Sequence, residues 1–485
     1  NKKNGKQPSL SELIGLLNYA KKDSSIKGIY IKCAENPNGY AATEEIRKAL
    51  IDFKKSNKFI VAYAETISQK GYMMANVADQ IYTHPQGGME WVGFNYETIF
   101  FKGLIDKLEI EPQIFYAGKF KSATEPFRYA QMSEANKLQT GIWLNSIYNS
   151  FIQGAAEMRH LNADSIKVFA NEGKVQNAQD ALKYKLVDGL IYDDQLKKII
   201  SKKLKVADET KISFVSINNY AESVALRGTG SGKIAVIYAD GDVVMGKGQN
   251  EAIASDDYRA LIQKIRNDKS IDAVVLRVNS PGGSALASDI IWREIDLLKK
   301  EKPVVVSMGD VAASGGYYIA VAADEIFVDK ASIVGSIGVL MDGFGFTETM
   351  KKAGVERRLM TAGSNKAMLD PFSPVNPKQQ AFVQEMLNQV HQQFIKVVKD
   401  GRGNRLKESP ETFSGLFWNG EAAVKLGLAD GFGNYDYVAR EIIKAEEVVD
   451  FTTYEGFADR FARKFGASLG SSMNESLRTA ILNQK

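Results

Sequence analysis

Histidine and cysteine are scarce in this chain: it has three histidines and one cysteine in 485 residues. A lone cysteine excludes an intrachain disulfide, and Cys33, set in the apolar run IYIKCA, reads as core filler. His84, His160 and His391 are scattered and have no metal-ligand spacing around them, so neither a metal nor a cofactor is expected. None of them adjoins a nucleophile-like turn in sequence, and His391 falls within a long polar helical stretch. A Ser-His-Asp triad therefore finds little support. No uninterrupted apolar run approaches the length of a membrane span. The formal charge of +4 is small for the length and makes no case for nucleic acid as a partner. The most basic run, 197–205, has interleaved apolar residues and reads as the solvated face of a helix.

What the chain does have is material for cores, 44% hydrophobic residues, over a length that suggests two or three domains. Its organising stretch is 303–324, PVVVSMGDVAASGGYYIAVAAD. The β-branched run Val304-Val305-Val306 predicts a short buried strand, and 317–323, small and apolar on every side, predicts a helix packed in a core. Between them Ser314 stands at a strand-to-helix turn. The commonest task of a serine there is to cap the helix. The same position also suits a nucleophile, because free backbone N–H groups favour negative charge beside it. On this stretch alone capping is the better reading.

The chain repeats itself. GYMMANVADQIY at 71–82 returns as GYYIAVAADEIF 245 residues later, and the same offset carries IKGIYI at 26–31 onto IDAVVL at 271–276. It also carries AGKFKSATEPF at 117–127 onto AGSNKAMLDPF at 362–372. One offset held over about a hundred residues predicts two copies of one domain. The expected divisions are 1–205 for the first repeat, 206–232 for a linker ending in RGTGSGK, 233–450 for the second repeat and 451–485 for a C-terminal extension. Strands expected over 234–238, 273–278, 304–308 and 325–328 alternate with helical stretches such as 285–300, which predicts an α/β fold with a mainly parallel sheet. Longer helices are expected over 133–157 and 377–400. The second copy opens with a strand, KIAVIYADGDVV, whose counterpart would precede residue 1, so the natural chain is expected to continue N-terminally.

A serine hydrolase without histidine needs another base, and a lysine kept neutral by burial can serve. Lys121 and Lys366 occupy equivalent places in the two copies, each after Ala-Gly and before Pro-Phe. Lys119 is nearby, but its counterpart is Ser364. The turn Asn279-Ser280-Pro281-Gly282-Gly283-Ser284 follows a predicted strand and can aim backbone N–H groups at an oxyanion, although Pro-Gly also marks ordinary turns. Ser336, between Gly335 and Gly338 in VGSIG, can orient a buried lysine by hydrogen bonding. The nucleophile turn is unequal between the copies, since the counterpart of Ser314 is Gln69, in ISQKGY. One site per chain is the limit. Spacing by itself leaves Lys121 and Lys366 both open.

Together LRVNSPGGS, VVSMGDVAASGGYY, VGSIGV and AGKFKSATEPF resemble the signal peptide peptidase A family in its double-length form, over about residues 8–445. The resemblance implies a tandem duplication of a crotonase/Clp-protease-like domain and a Ser/Lys dyad protease that degrades remnant signal peptides. It implies Ser314 as nucleophile, Lys121 rather than Lys366 as base, Ser336 as the residue holding that lysine, and Gly282, Gly283 and Gly315 around the oxyanion. It further implies a homotetramer at the bacterial cytoplasmic membrane, with its catalytic part on the extracytoplasmic side and an anchor in the segment ahead of residue 1. Two other functions remain open on the residues: a crotonase-type acyl-CoA enzyme, and a membrane-associated scaffold docking through Phe457, Phe461 and Phe465.

Overall fold

The computed structural model describes residues 8–224 and 233–450, apart from 249–251, 364, 375, 435–436, 439–441 and 444–446. Phe457, Phe461 and Phe465 lie outside them. The β-branched and aromatic runs of the first half form a sheet of four parallel strands in the order Gly28–Lys32, Phe59–Ile67, Gln80–Met89 and Gly189–Leu190. The second half repeats that order with Ile271–Ser280, Val304–Ala313, Glu325–Val328 and Gly431–Phe432, again parallel. Parallel neighbours need a crossover, and the helices Tyr40–Lys54 and Ala285–Lys299 supply it in the two halves. Lys233–Asp240 lies against the outer side of Ile271–Ser280, with Glu447–Asp450 beyond it.

Each half has its own core. Ile46, Ile60, Ala62, Tyr72 and Phe151 belong to one, and Val274, Leu276, Val306, Ile319 and Val398 to the other. The long helices run Glu134–Arg159, capped by Ser133, and Pro377–Arg402, capped by Asn376 with proline in the first turn. The expected linker of 206–232 is corrected at its start. The helix Ile217–Ser223 folds back on the first half, where buried Tyr220 donates to Asp23 Oδ2 at 2.8 Å and its ring meets Tyr19.

The halves are joined by polar contacts that seat the first crossover helix against the second sheet. Arg277 and Glu45, both buried, form an ion pair at 2.5 Å, and Arg277 Nη1 also donates to Ser307 Oγ at 2.8 Å. Gly39 offers no side chain to cap the helix Tyr40–Lys54. Instead Asp310 Oδ1 of the other half accepts from Ala41 N at 2.7 Å. A Cβ on Gly39 would stand 2.0 Å from Asp310 Oδ2, so only glycine admits that carboxylate. Two short antiparallel pairs complete the seam, Phe115–Ala117 with Val339–Met341 and Glu111–Pro112 with Phe344–Gly345. The first of these carries the segment after Ala117 to the turn at Ser314.

Candidate active site

The strand Val304–Ala313 runs up to Ser314, which breaks it with φ 52° and ψ −120°. A positive φ on a serine is sparsely populated and stores strain, held here by Ser314 N donating to Gly335 O at 2.8 Å. The helix Gly315–Ala320 starts at the next residue, yet the Ser314 side chain makes no capping bond to it. The capping reading is thereby corrected. The contrast with the first half is direct: there Ser68 caps the equivalent helix by accepting from Gly71 N at 3.0 Å.

The Ser314 hydroxyl meets a lysine of the other half. Lys121 Nζ is 3.2 Å from Ser314 Oγ, 3.1 Å from Ser336 Oγ and 3.4 Å from the Ser336 carbonyl oxygen. Ser336 follows the strand Ile333–Gly335 and is held by its own N–H, which donates to Leu416 O at 2.9 Å. The lysine stem passes between two glycines. A Cβ on Gly338 would lie 3.0 Å from Lys121 Cγ and Cδ, and one on Gly415 2.9 Å from Cγ. Lys121 is buried, and desolvation lowers its pKa to about 8. An amine that loses its proton near neutrality, beside a hydroxyl on a strained turn, can act as a general base toward that hydroxyl.

The Ser-Pro-Gly-Gly turn lies against the same point. A Cβ on Gly282 would sit 2.6 Å from Gly315 N and 2.8 Å from Ser314 Cβ, so glycine is required for the approach. The N–H of Gly282 is already donated to Ser280 Oγ at 3.1 Å, which corrects its expected place among the oxyanion donors: it is a spacer. The N–H groups of Gly283 and Gly315 have no acceptor among the described residues, and the two glycines adjoin. They form a pair of free donors beside the serine.

This is hydrolase geometry, and comparison with known proteins agrees with it. Residues 52–224 and 296–449 match the model of Peptidase family S49, and 230–357 match that of the ClpP-like SDH-type serine proteinases. The chain belongs to peptidase family S49. Protease 4 of Haemophilus influenzae is 32% identical over 91% of this chain and 73% of its own length. The chloroplastic serine protease SPPA of Arabidopsis thaliana is 31% identical over 88% of this chain and 64% of its own. A putative signal peptide peptidase SppA of Enterococcus faecium is 29% identical over 50% of this chain and 72% of its own length. The protein is a serine protease with a mixed α/β fold, and its membership of S49 argues against the expected alternative of an acyl-CoA enzyme.

Within this S49 protease the remaining candidates separate by position. Lys366 is exposed and makes no bond to Ser314 among the described residues, whereas Lys121 reaches it from the same chain. Lys119 faces outward and pairs with Glu411 at 3.6 Å. Gln69, the counterpart of Ser314, is buried: its Oε1 accepts from the N–H groups of Val92 and Gly93 at 2.6 and 2.9 Å, and its Nε2 donates to Gly93 O at 2.8 Å. Sequence reasoning missed two features. The pinch on the lysine stem was partly legible in the glycine of VGSIGV, but not in Gly415, which has no motif around it. His391, distant from every turn in sequence, is buried behind Ile337, and helical periodicity in 377–402 was the one signal that could have placed it inward.

Proposed function

We propose that this S49 protease is a membrane-associated endopeptidase that degrades remnant signal peptides by a Ser/Lys dyad. The observation that carries the reading is the buried Lys121 amine 3.2 Å from Ser314 Oγ. Neutral Lys121 takes the proton of Ser314 as its oxygen attacks a peptide carbonyl. The N–H groups of Gly283 and Gly315 receive the oxyanion, and Lys121 then protonates the leaving amine. Water releases the acyl group by the same route in reverse. Ser336 orients the lysine throughout. The substrate class rests on the name carried by relatives such as that of Enterococcus faecium.

The tandem reading goes with it: two copies of a crotonase/Clp-protease-like domain, of which the first donates the lysine and the second the serine. A homotetramer and an anchor ahead of residue 1, placing the enzyme on the outer side of the bacterial cytoplasmic membrane, belong to the same proposal. Among the described residues no helix is long and apolar enough to cross a membrane.

Turnover of a signal-peptide substrate by Ser314→Ala, Lys121→Ala and Lys366→Ala tests the chemistry. The first two should lose several orders of magnitude in kcat, and the third should keep wild-type activity. The rate of the wild type should fall as pH drops through about 8, because protonated Lys121 cannot act as base. Undiminished turnover in Ser314→Ala would reject the mechanism.

A further inference from the structure

The two segments that wall Lys121 converge on a residue that the acyl-transfer chemistry does not use. His391 lies in the long helix Pro377–Arg402 and is only 8% exposed. Its Nε2 stands 3.2 Å from the carbonyl oxygen of Ile337. Ile337 directly follows Ser336, whose Oγ and carbonyl oxygen receive Lys121 Nζ. The turn at 414–416 binds the lysine's own segment: Ser414 O accepts from Phe120 N at 2.9 Å. The same turn grips the Ser336 loop, with Gly415 N donating to Ile337 O at 3.1 Å and Leu416 O accepting from Ser336 N at 2.9 Å. The imidazole thus bears on the carbonyl at which the two walls of the lysine cradle meet.

We propose that His391 is a positioning residue for the Ser/Lys pair: it holds the Ile337 carbonyl and so sets where the adjoining Ser336 presents its oxygens to Lys121. The inference rests on Ser314 and Lys121 being the reacting pair. A neutral imidazole has one N–H, and the ring presents it from Nε2 to the Ile337 carbonyl. Burial, opposed by backbone hydrogen bonding and reinforced by nearby Lys121, holds the ring below the usual histidine range. The charged group that bears on it is Lys121, and the ring is neutral at any pH where that lysine is neutral. His391 acts through geometry and exclusion of water, not by carrying a proton. Loosening the Ser336 loop lets water reach Lys121 Nζ and returns its pKa toward 10.5, the ordinary lysine value.

The test is the pH dependence of kcat and KM on a fluorogenic peptide for the full chain, comparing wild type with His391→Phe, His391→Leu and His391→Gln. Phe and Leu fill the space without a donor, whereas the Gln amide can offer an N–H near the place of Nε2. Both apolar variants should lose on the order of tenfold in kcat with KM little changed. Their acid limb should move up by about one pH unit. Gln should return the limb to within a few tenths of a unit of wild type. The midpoint is a property of the molecules that fold, so partial unfolding of a variant lowers the rate without moving it, and either apolar variant suffices. A wild-type midpoint in Phe or Leu, or a Gln variant displaced as far as they are, would overturn the role of His391. Ser314→Ala, run alongside, separates the two claims: turnover surviving there strikes the Ser/Lys reading beneath, while its loss together with an unmoved midpoint strikes only His391.

Discussion

Lys121 is destabilising for the same reason that it is useful. An ammonium buried with two serine hydroxyls and a carbonyl has lost its water and gained no carboxylate, since desolvation is the cause acting on its pKa. With a folded-state pKa of about 8 against 10.5 for a free lysine, the unfolded chain binds a proton between those values that the native chain does not. Native stability therefore rises with pH across that window. Lys121→Met removes the amine and keeps the stem, so it should stabilise the fold by roughly 3 kcal/mol below the window, at 1.36 kcal/mol per pKa unit. The gain should vanish above pH 10.5. Urea unfolding at the two ends of the window measures it, and a gain independent of pH would show that packing, not charge, is responsible. Ser314 has a comparable strain in its backbone, and both residues exchange stability for a poised site.

At the scale of elements, the helix Tyr40–Lys54 matters more than its place in the first half suggests. Its N-terminus is satisfied by Asp310, and its buried face ends in the Glu45–Arg277 pair, so it locks the sheet that ends in Ser314 to the half that supplies Lys121. Removing one partner of a fully buried pair leaves the other without compensation. Glu45→Ala should therefore cost about 3–5 kcal/mol. Lys48, on the same helix, pairs with Asp329 at 2.7 Å, but its side chain is 52% exposed, and Lys48→Ala should cost about 1 kcal/mol or less. Chemical denaturation of the two variants side by side decides the matter: equal losses would mean that the seam does not depend on the buried pair.

At the scale of the molecule, two halves with the same strand order have been put to different uses. The nucleophile turn of the first half is closed by Gln69, and Trp91, the counterpart of Ser336, is 1% exposed with its ring N–H donated to Ile166 O at 2.9 Å. That half keeps the strand-turn-helix as architecture and fills the space where a base would sit. Placing a serine there should not create a second site, since the hole is packed and its matching lysine, Lys366, is exposed. Gln69→Ser in a Ser314→Ala background is expected to show no peptide turnover above Ser314→Ala alone. Recovered activity would mean that the first half is a dormant site and not a filled one.

The residues themselves determined the elements and the candidates. Short β-branched and apolar runs wrote the parallel strands, the 245-residue offset paired Lys121 with Lys366, and Gln69 against Ser314 limited the chain to one nucleophile. These are local patterns, and a strand or a turn is set largely by its neighbours in sequence. Whether Ser314 caps a helix or faces a base was not legible, because that depends on its φ of 52° and on a lysine 193 residues away. Nor was Lys121 distinguishable from Lys366, or His391 from a polar helix face, since pattern carries no account of which segments fold against each other. Only the packing of one half on the other decided that. The serine of the strand-turn-helix gained its partner through the seam made by Glu45, Asp310 and the strands beside Ala117, and the burial produced by that seam is what lowers the lysine's pKa toward neutrality.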